Sequence, residues 1–192
     1  MKMKITPYVI ALIILIAGLF FDRQIVSFLA VNRTDFIISI MNWFSFFGTW
    51  FIVLIIMTSL FLWQEHKRKW ILPLWLSLGI SFAVTYGLKL FIMRDRPAEA
   101  LSNSLTSGFP SGHATAVFSG LAVLDKEFPR FKWFWLVFAL IVVFSRLYLG
   151  MHYLTDVVVG MVIGYTTGLL ITKYIEYQKS KKKAKAVCLP TD

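Results

Sequence analysis

The sequence predicts an all-α integral membrane protein, a bundle of six transmembrane helices with short interfacial helices between the first and second spans. Three observations predict it. Of the 192 residues, 58% are hydrophobic and only 16% are charged, whereas soluble domains carry about 25% charge. The apolar residues fall in runs approaching the ~20 residues a helix needs to cross a ~30 Å bilayer core. The positive charges gather at alternate junctions between those runs, as the positive-inside rule requires of a chain that crosses repeatedly. A chain of this length reads as one domain, residues 1–177, followed by a basic cytoplasmic tail at 178–192.

The first apolar run is Ile5 to Phe21. It follows Met-Lys-Met-Lys, so a secretory signal is the first alternative. No small-x-small cleavage site follows it, and an uncleaved first helix is expected. Residues 22–47 mix Asp22, Arg23, Arg33 and Asp35 with many Phe and Ile residues. That pattern reads as interfacial helices or a re-entrant segment. The second span centres on Trp50 to Trp63, and the third runs from Trp70 to Met93. Ser111 to Leu124 is a short fourth helix, Trp133 to Phe144 a fifth and Tyr153 to Ile175 a sixth.

Charge orients this threading. With the N-terminus inside, 14 of the 20 Lys and Arg residues fall on the cytoplasmic side. Six remain outside: Arg23, Arg33, Lys89, Arg94, Arg96 and Arg146. The net charge of +10 is then explained by topology, and no nucleic-acid partner is needed. The single cysteine, Cys188, excludes an internal disulfide framework and a Cys-based zinc site.

Cations held at a membrane edge against the sorting rule are costly and usually functional. Three polar clusters share the outer face. Lys89, Arg96 and Pro97 end the third span. Pro110-Ser111-Gly112-His113 opens the fourth. Ser145, Arg146, His152 and Asp156 join the fifth span to the sixth. Lys89, Arg96 and Arg146 can neutralise a phosphoryl group and its transition state, and arginine forks match phosphate oxygens. Ser111, Gly112 and His113 open a helix, where free backbone N–H groups and the helix dipole bind anions. His152 and Asp156 lie four apart, on one helix face. A carboxylate there can bond one ring nitrogen and leave the other free to attack. His113 is then available to protonate a leaving oxygen.

These clusters resemble the three-part motif of the type-2 phosphatidic acid phosphatase superfamily, which includes membrane lipid phosphatases, soluble acid phosphatases and vanadium haloperoxidases. Lys89, Arg96, Pro97, Pro110, Ser111, Gly112, His113, Ser145, Arg146, His152 and Asp156 match it in order. The resemblance implies a nucleophilic His152 that forms a phosphohistidine, with Asp156 orienting it. It also implies His113 as general acid and Lys89, Arg96, Ser111, Gly112 and Arg146 as phosphate ligands. It implies neither metal nor other cofactor. Pro97 and Ser145 read as positional.

The spacing is short: 12 residues separate Pro97 from Pro110, and 31 separate His113 from Ser145. Helices four and five are therefore short, which predicts a site recessed below the outer headgroups with lateral entry for a lipid. The implied function is hydrolysis of a phosphate from a membrane lipid: a polyprenyl diphosphate such as undecaprenyl pyrophosphate, phosphatidylglycerol phosphate, phosphatidic acid or lipid A. A phosphotransferase using the same histidine and a non-enzymatic transporter or scramblase are the alternatives. Elsewhere, Trp43, Trp50, Trp63, Trp70, Trp133 and Trp135 read as membrane-edge belts. Gly160, Gly164 and Gly168 read as helix packing, and Asp95 and Glu99 as loop residues that tune the site or solvate the loop.

Overall fold

A computed structural model describes residues 5–64, 68–102 and 106–187, with side chains outside 47–54 and 182–187. His66 and Cys188 lie outside the described residues. Among the described residues seven α-helices follow one another: α1 Thr6–Val31, α2 Asp35–Ser45, α3 Phe47–Gln64, α4 Ile71–Ile92, α5 Gly112–Glu127, α6 Lys132–Tyr148 and α7 Leu154–Val187. One-turn 3-10 segments, Arg68–Trp70 and Pro129–Phe131, lead into α4 and α6. Among the described residues there is no strand.

Among the described residues four stretches are long and apolar enough to cross a membrane: Thr6–Val31, Arg68–Ile92, Pro129–Tyr148 and Leu154–Lys181. In α3 the apolar stretch identified among fully described residues is Ile55–Gln64, and α5 has 16 residues. Several boundaries differ from the sequence expectation. The fifth span, expected to be short and to end at Phe144, is α6, which runs to Tyr148 and with its 3-10 turn is long enough to cross a membrane. The first helix does not end at Phe21 but runs on to Val31, so Asp22 and Arg23 are helical rather than interfacial. Asp22 is buried against α7, which lets the helix continue through a charge. Only α2 is a short helix between α1 and α3, with Thr34 Oγ1 capping it by accepting from Ile37 N–H. At the far end α7 continues as helix through residues assigned to the tail, to Val187.

The outer surface is largely apolar, and the interior holds rows of buried polar side chains beside its apolar clusters. Leu72, Trp75, Leu76, Ile80, Val84, Leu90 and Phe91 of α4 are exposed, while Ser77, Ser81 and Thr85 of the same helix are buried. Ser77, Ser81, Thr85 and Lys89 recur every fourth residue and so form one row. Ser111, Thr115 and Ser119 form a matching row on α5. Ser77 Oγ donates to the Ser119 carbonyl at 3.2 Å, and the Thr85 and Thr115 hydroxyls lie 3.1 Å apart. The third row is Asp156, Gly160, Gly164, Gly168 and Thr172 of α7. A Cβ placed on Gly160 would stand 2.6 Å from the Ser111 carbonyl, one on Gly164 would overlap the Thr115 carbonyl, and one on Gly168 would stand 2.5 Å from the Ser119 carbonyl. The glycines thus let α7 lie directly on the α5 backbone, as the sequence predicts.

Trp43, Trp63 and Trp133 are exposed, whereas Trp70 is buried; the side chain of Trp50 lies outside the described residues. Trp70 packs with Leu62, Leu74, Val123 and Phe128, because the 3-10 turn before α4 points it into the bundle rather than toward lipid. Trp135 is only partly buried against the same cluster.

Candidate active site

The three interior rows end at the same place. Lys89 closes the α4 row, Ser111 opens the α5 row, and Asp156 opens the α7 row. Ser111 N–H donates to the Asp156 carbonyl at 2.9 Å, which ties the starts of α5 and α7 together. Lys89 Nζ donates to the Ser107 carbonyl at 2.5 Å. Arg96 reaches across the loop, donating from Nη1 to the Met151 carbonyl at 3.0 Å and from Nε to the Thr106 carbonyl at 3.2 Å. Arg146, in the last turn of α6, is buried. The structure therefore gathers all three predicted cations, and each bears on His152.

His152 sits in the turn between α6 and α7 and is 2% exposed. Its Nδ1 lies 2.6 Å from the Gly108 carbonyl. A carbonyl only accepts, so Nδ1 carries the proton and Nε2 keeps its lone pair. Burial, and then the cations Arg146, Arg96 and Lys89, hold the ring well below the ordinary imidazole pKa, so it stays neutral.

The expected bond between His152 and Asp156 is not made. Asp156 Oδ2 is 3.8 Å from Nδ1, because that oxygen accepts the Tyr153 N–H at 2.8 Å instead. This is half of a capping box: the third helical residue reaches back to the backbone N–H just before the helix. Asp156 Oδ1 accepts from Arg94 Nη1 at 2.6 Å.

His113, in the first turn of α5, has its Nε2 3.0 Å from the Ser45 carbonyl. Arg146 Nη1 donates to that same carbonyl at 3.3 Å. Arg146 Nε and Ser111 Oγ are buried with no hydrogen-bond partner among the described residues. A Cβ built on Gly112 would meet nothing within 4 Å. Ser145 Oγ donates to the Val142 carbonyl at 2.7 Å.

Sequence reasoning missed three contributors. Asp22 and Arg94 are joined at 2.9 Å, and Arg94 also binds Asp156. The signal for Asp22 was an acidic residue inside an apolar helix, a rare and costly placement. The Gly108 carbonyl that orients His152 carried no side-chain signal. Of the loop acids, Glu99 accepts from Ser27 Oγ at 2.6 Å. That bond, more than nearby Arg33, holds the Glu99 carboxyl below its ordinary pKa. Arg33 donates to the Tyr148 and Glu99 carbonyls, both at 2.7 Å, which makes it a clasp between the end of α6 and the loop after α4.

A helical membrane bundle with its interior rows ending in two histidines and three cations defines a recognisable class. The chain belongs to the PAP2 superfamily, whose family model matches residues 70–180. It is similar to a lipid A 4'-phosphatase from Porphyromonas gingivalis, 37% identical over 38% of this chain and 32% of that protein. It is also similar to an undecaprenyl-diphosphatase from Sulfolobus acidocaldarius, 27% identical over 75% of this chain and 73% of that protein. The chain thus spans about a third of the first relative's length. Its fold is shared with the crystal structure of a transmembrane PAP2-type phosphatidylglycerolphosphate phosphatase from Bacillus subtilis. That likeness has a TM-score of 0.75 at 24% identity and covers 90% of this chain and 96% of that one. The LpxE structure from Aquifex aeolicus gives 0.70 at 24% identity, over 79% and 94%. With its long apolar helices and these relatives, the protein is a multi-pass membrane protein.

Proposed function

We propose that this protein is a lipid phosphatase or diphosphatase that hydrolyses the terminal phosphate of a membrane lipid through a phosphohistidine on His152. The observation that carries the reading is a neutral, buried His152 whose Nε2 is released for attack by the Gly108 carbonyl, with Lys89, Arg96 and Arg146 around it.

In the first step Nε2 attacks phosphorus. The P–N bond forms as the bond to the lipid oxygen, or to the leaving phosphate of a diphosphate, breaks. His113 supplies the proton to that oxygen. In the second step water attacks phosphorus, the P–N bond breaks, and His113 takes the water's proton. Lys89, Arg96 and Arg146 offset the charge on the equatorial oxygens. The unpartnered Arg146 Nε and Ser111 Oγ, with the open space beside Gly112, suit those oxygens. The Ser45 carbonyl already accepts from the donors a phosphoryl oxygen would meet. Asp156 acts by closing the turn that carries His152 and by placing negative charge 3.8 Å from its protonated nitrogen.

Six spans, cytoplasmic termini and a site on the periplasmic or extracellular side complete the reading. The cation distribution supports them. The substrate panel is the four lipids named above, since the relatives carry names from three of those classes. The test is phosphate release by purified enzyme from each lipid. His152→Ala is expected to abolish turnover and Asp156→Asn to cut it strongly. Vanadate is expected to inhibit, and EDTA to leave the rate unchanged. EDTA inhibition reversed by a divalent ion would overturn the metal-free step, and full phosphate release by His152→Ala would overturn the nucleophile. Lipid transport retained in full by His152→Ala, with no phosphate released by wild type, would favour a transporter. Phosphate recovered on an added acceptor lipid would identify a phosphotransferase.

A further inference from the structure

Two charged residues beside the site belong to none of the three sequence clusters. Asp22 lies deep in α1 and is buried, and Arg94 lies in the loop after α4. We infer that Asp22 and Arg94 are positioning residues that fix the His152 turn against the first helix. The inference rests on His152 being the nucleophile.

The contacts run through three of the four residues after His152: Tyr153, Thr155 and Asp156. Asp22 Oδ1 accepts the Thr155 N–H at 3.1 Å, and Oδ2 accepts the Thr155 hydroxyl at 2.5 Å. Asp22 Oδ2 also takes Arg94 Nη2 at 2.9 Å. Arg94 Nη1 reaches Thr155 Oγ1 and Asp156 Oδ1, both at 2.6 Å. The guanidinium lies 4.4 Å over the Tyr153 ring, and Asp156 holds the Tyr153 N–H. The N–H groups in the first turn of a helix have no intrahelical partners. Here a carboxylate from another helix supplies one. Gly18, one turn before Asp22, makes room for this, since a Cβ there would stand 2.9 Å from Thr155 Cγ2.

Arg94 has a second route to the same histidine. Its carbonyl accepts the Gly108 N–H at 2.8 Å, and the Gly108 carbonyl is the one that holds His152 Nδ1. Side chain and main chain of one residue thus locate both the turn and the proton of the ring. Stability alone does not demand the arrangement. A buried ion pair is often no more stabilising than an apolar pair of the same shape, and α1 has apolar residues to spare. Positioning is what such a network adds, because a displacement of about 1 Å at a reacting group can cost about 100-fold in rate.

The experiment measures kcat, KM and thermal stability of the purified full-length protein. The probe is dioleoyl phosphatidic acid or farnesyl diphosphate, whichever the wild-type protein hydrolyses faster. Asp22→Asn and Arg94→Gln are each expected to lower kcat by about 10- to 100-fold with KM within about threefold. Arg94→Lys is expected to recover part of the loss, as one carboxylate is regained. The double variant is expected to be no worse than the poorer single variant, because both act through one network. Unchanged kcat in Asp22→Asn, a loss confined to KM, or additive losses would overturn the inference. If Asp22→Asn does not fold, Arg94→Lys and Thr155→Val decide the question on the same criteria. His152→Ala is run in parallel. If it is inactive while Asp22→Asn matches wild type, only the positioning role falls. If it stays active, the nucleophile assignment falls first.

Discussion

A neutral imidazole that attacks through one nitrogen needs its proton held on the other. For the role proposed for His152, the Gly108 carbonyl supplies this hold, and the carboxylate expected there serves the helix end instead. Sequence spacing placed Asp156 on the right helix face but could not rank two nearby donors for its oxygens, the ring N–H and the Tyr153 N–H. The depressed pKa of His152 has a measurable consequence. Between its folded pKa and the unfolded value of about 6.5, the unfolded chain binds a proton that the folded protein rejects. Stability therefore rises with pH through that window and is lost as pH falls below about 6.5. Thermal midpoints of wild type and His152→Gln at pH 7.5 and pH 5.5 test this. The wild-type midpoint is expected to fall more on acidification than that of the variant, and equal falls would show that His152 does not titrate between the two states.

At the scale of elements, the rows of small residues decide how the site is built. Gly160, Gly164 and Gly168 were legible as a packing row from their four-residue spacing alone. Their partners, Ser111, Thr115 and Ser119, were not, because Ser and Thr in an apolar helix give no pattern until the facing backbone is known. The full length of the first helix is hidden in the sequence for a related reason: the apolar run stops at Asp22, whereas the buried pairing with Arg94 and Thr155 lets the helix continue. Gly164→Ala tests the α5–α7 contact. Its Cβ overlaps the Thr115 carbonyl, which is backbone and cannot turn aside. Overpacking of this kind costs about 1–3 kcal/mol, and a lower thermal midpoint is expected. Gly79→Ala is the comparison, since a Cβ there meets nothing within 4 Å and alanine favours helix by up to about 1 kcal/mol over glycine.

For the whole molecule, charge and chemistry occupy opposite ends. Lys126 pairs with Glu176 at 2.8 Å, Lys132 lies 3.4 Å from Asp125, Lys179 lies 5.2 Å over Trp70, and Arg68 lies 3.6 Å over Trp63. These contacts gather the end of α3, the start of α4, the end of α5, the start of α6 and the distal part of α7 at one end. The two histidines and the Lys89, Arg96 and Arg146 cluster lie at the other. The positive-inside rule favours the cytoplasm for the lysine-rich end, which predicts that the site faces outward. Leu101 is 48% exposed at the site end, and Arg130 is exposed in the 3-10 turn at the other. In a Cys188→Ser background, Leu101→Cys is expected to react with a membrane-impermeant maleimide added outside intact cells or spheroplasts. Arg130→Cys is expected to react only after the membrane is opened. The reverse pattern would put the phosphate chemistry in the cytoplasm and detach it from the charge rule. Labelling of both from outside would show that the chain does not carry these two ends on opposite faces of the membrane.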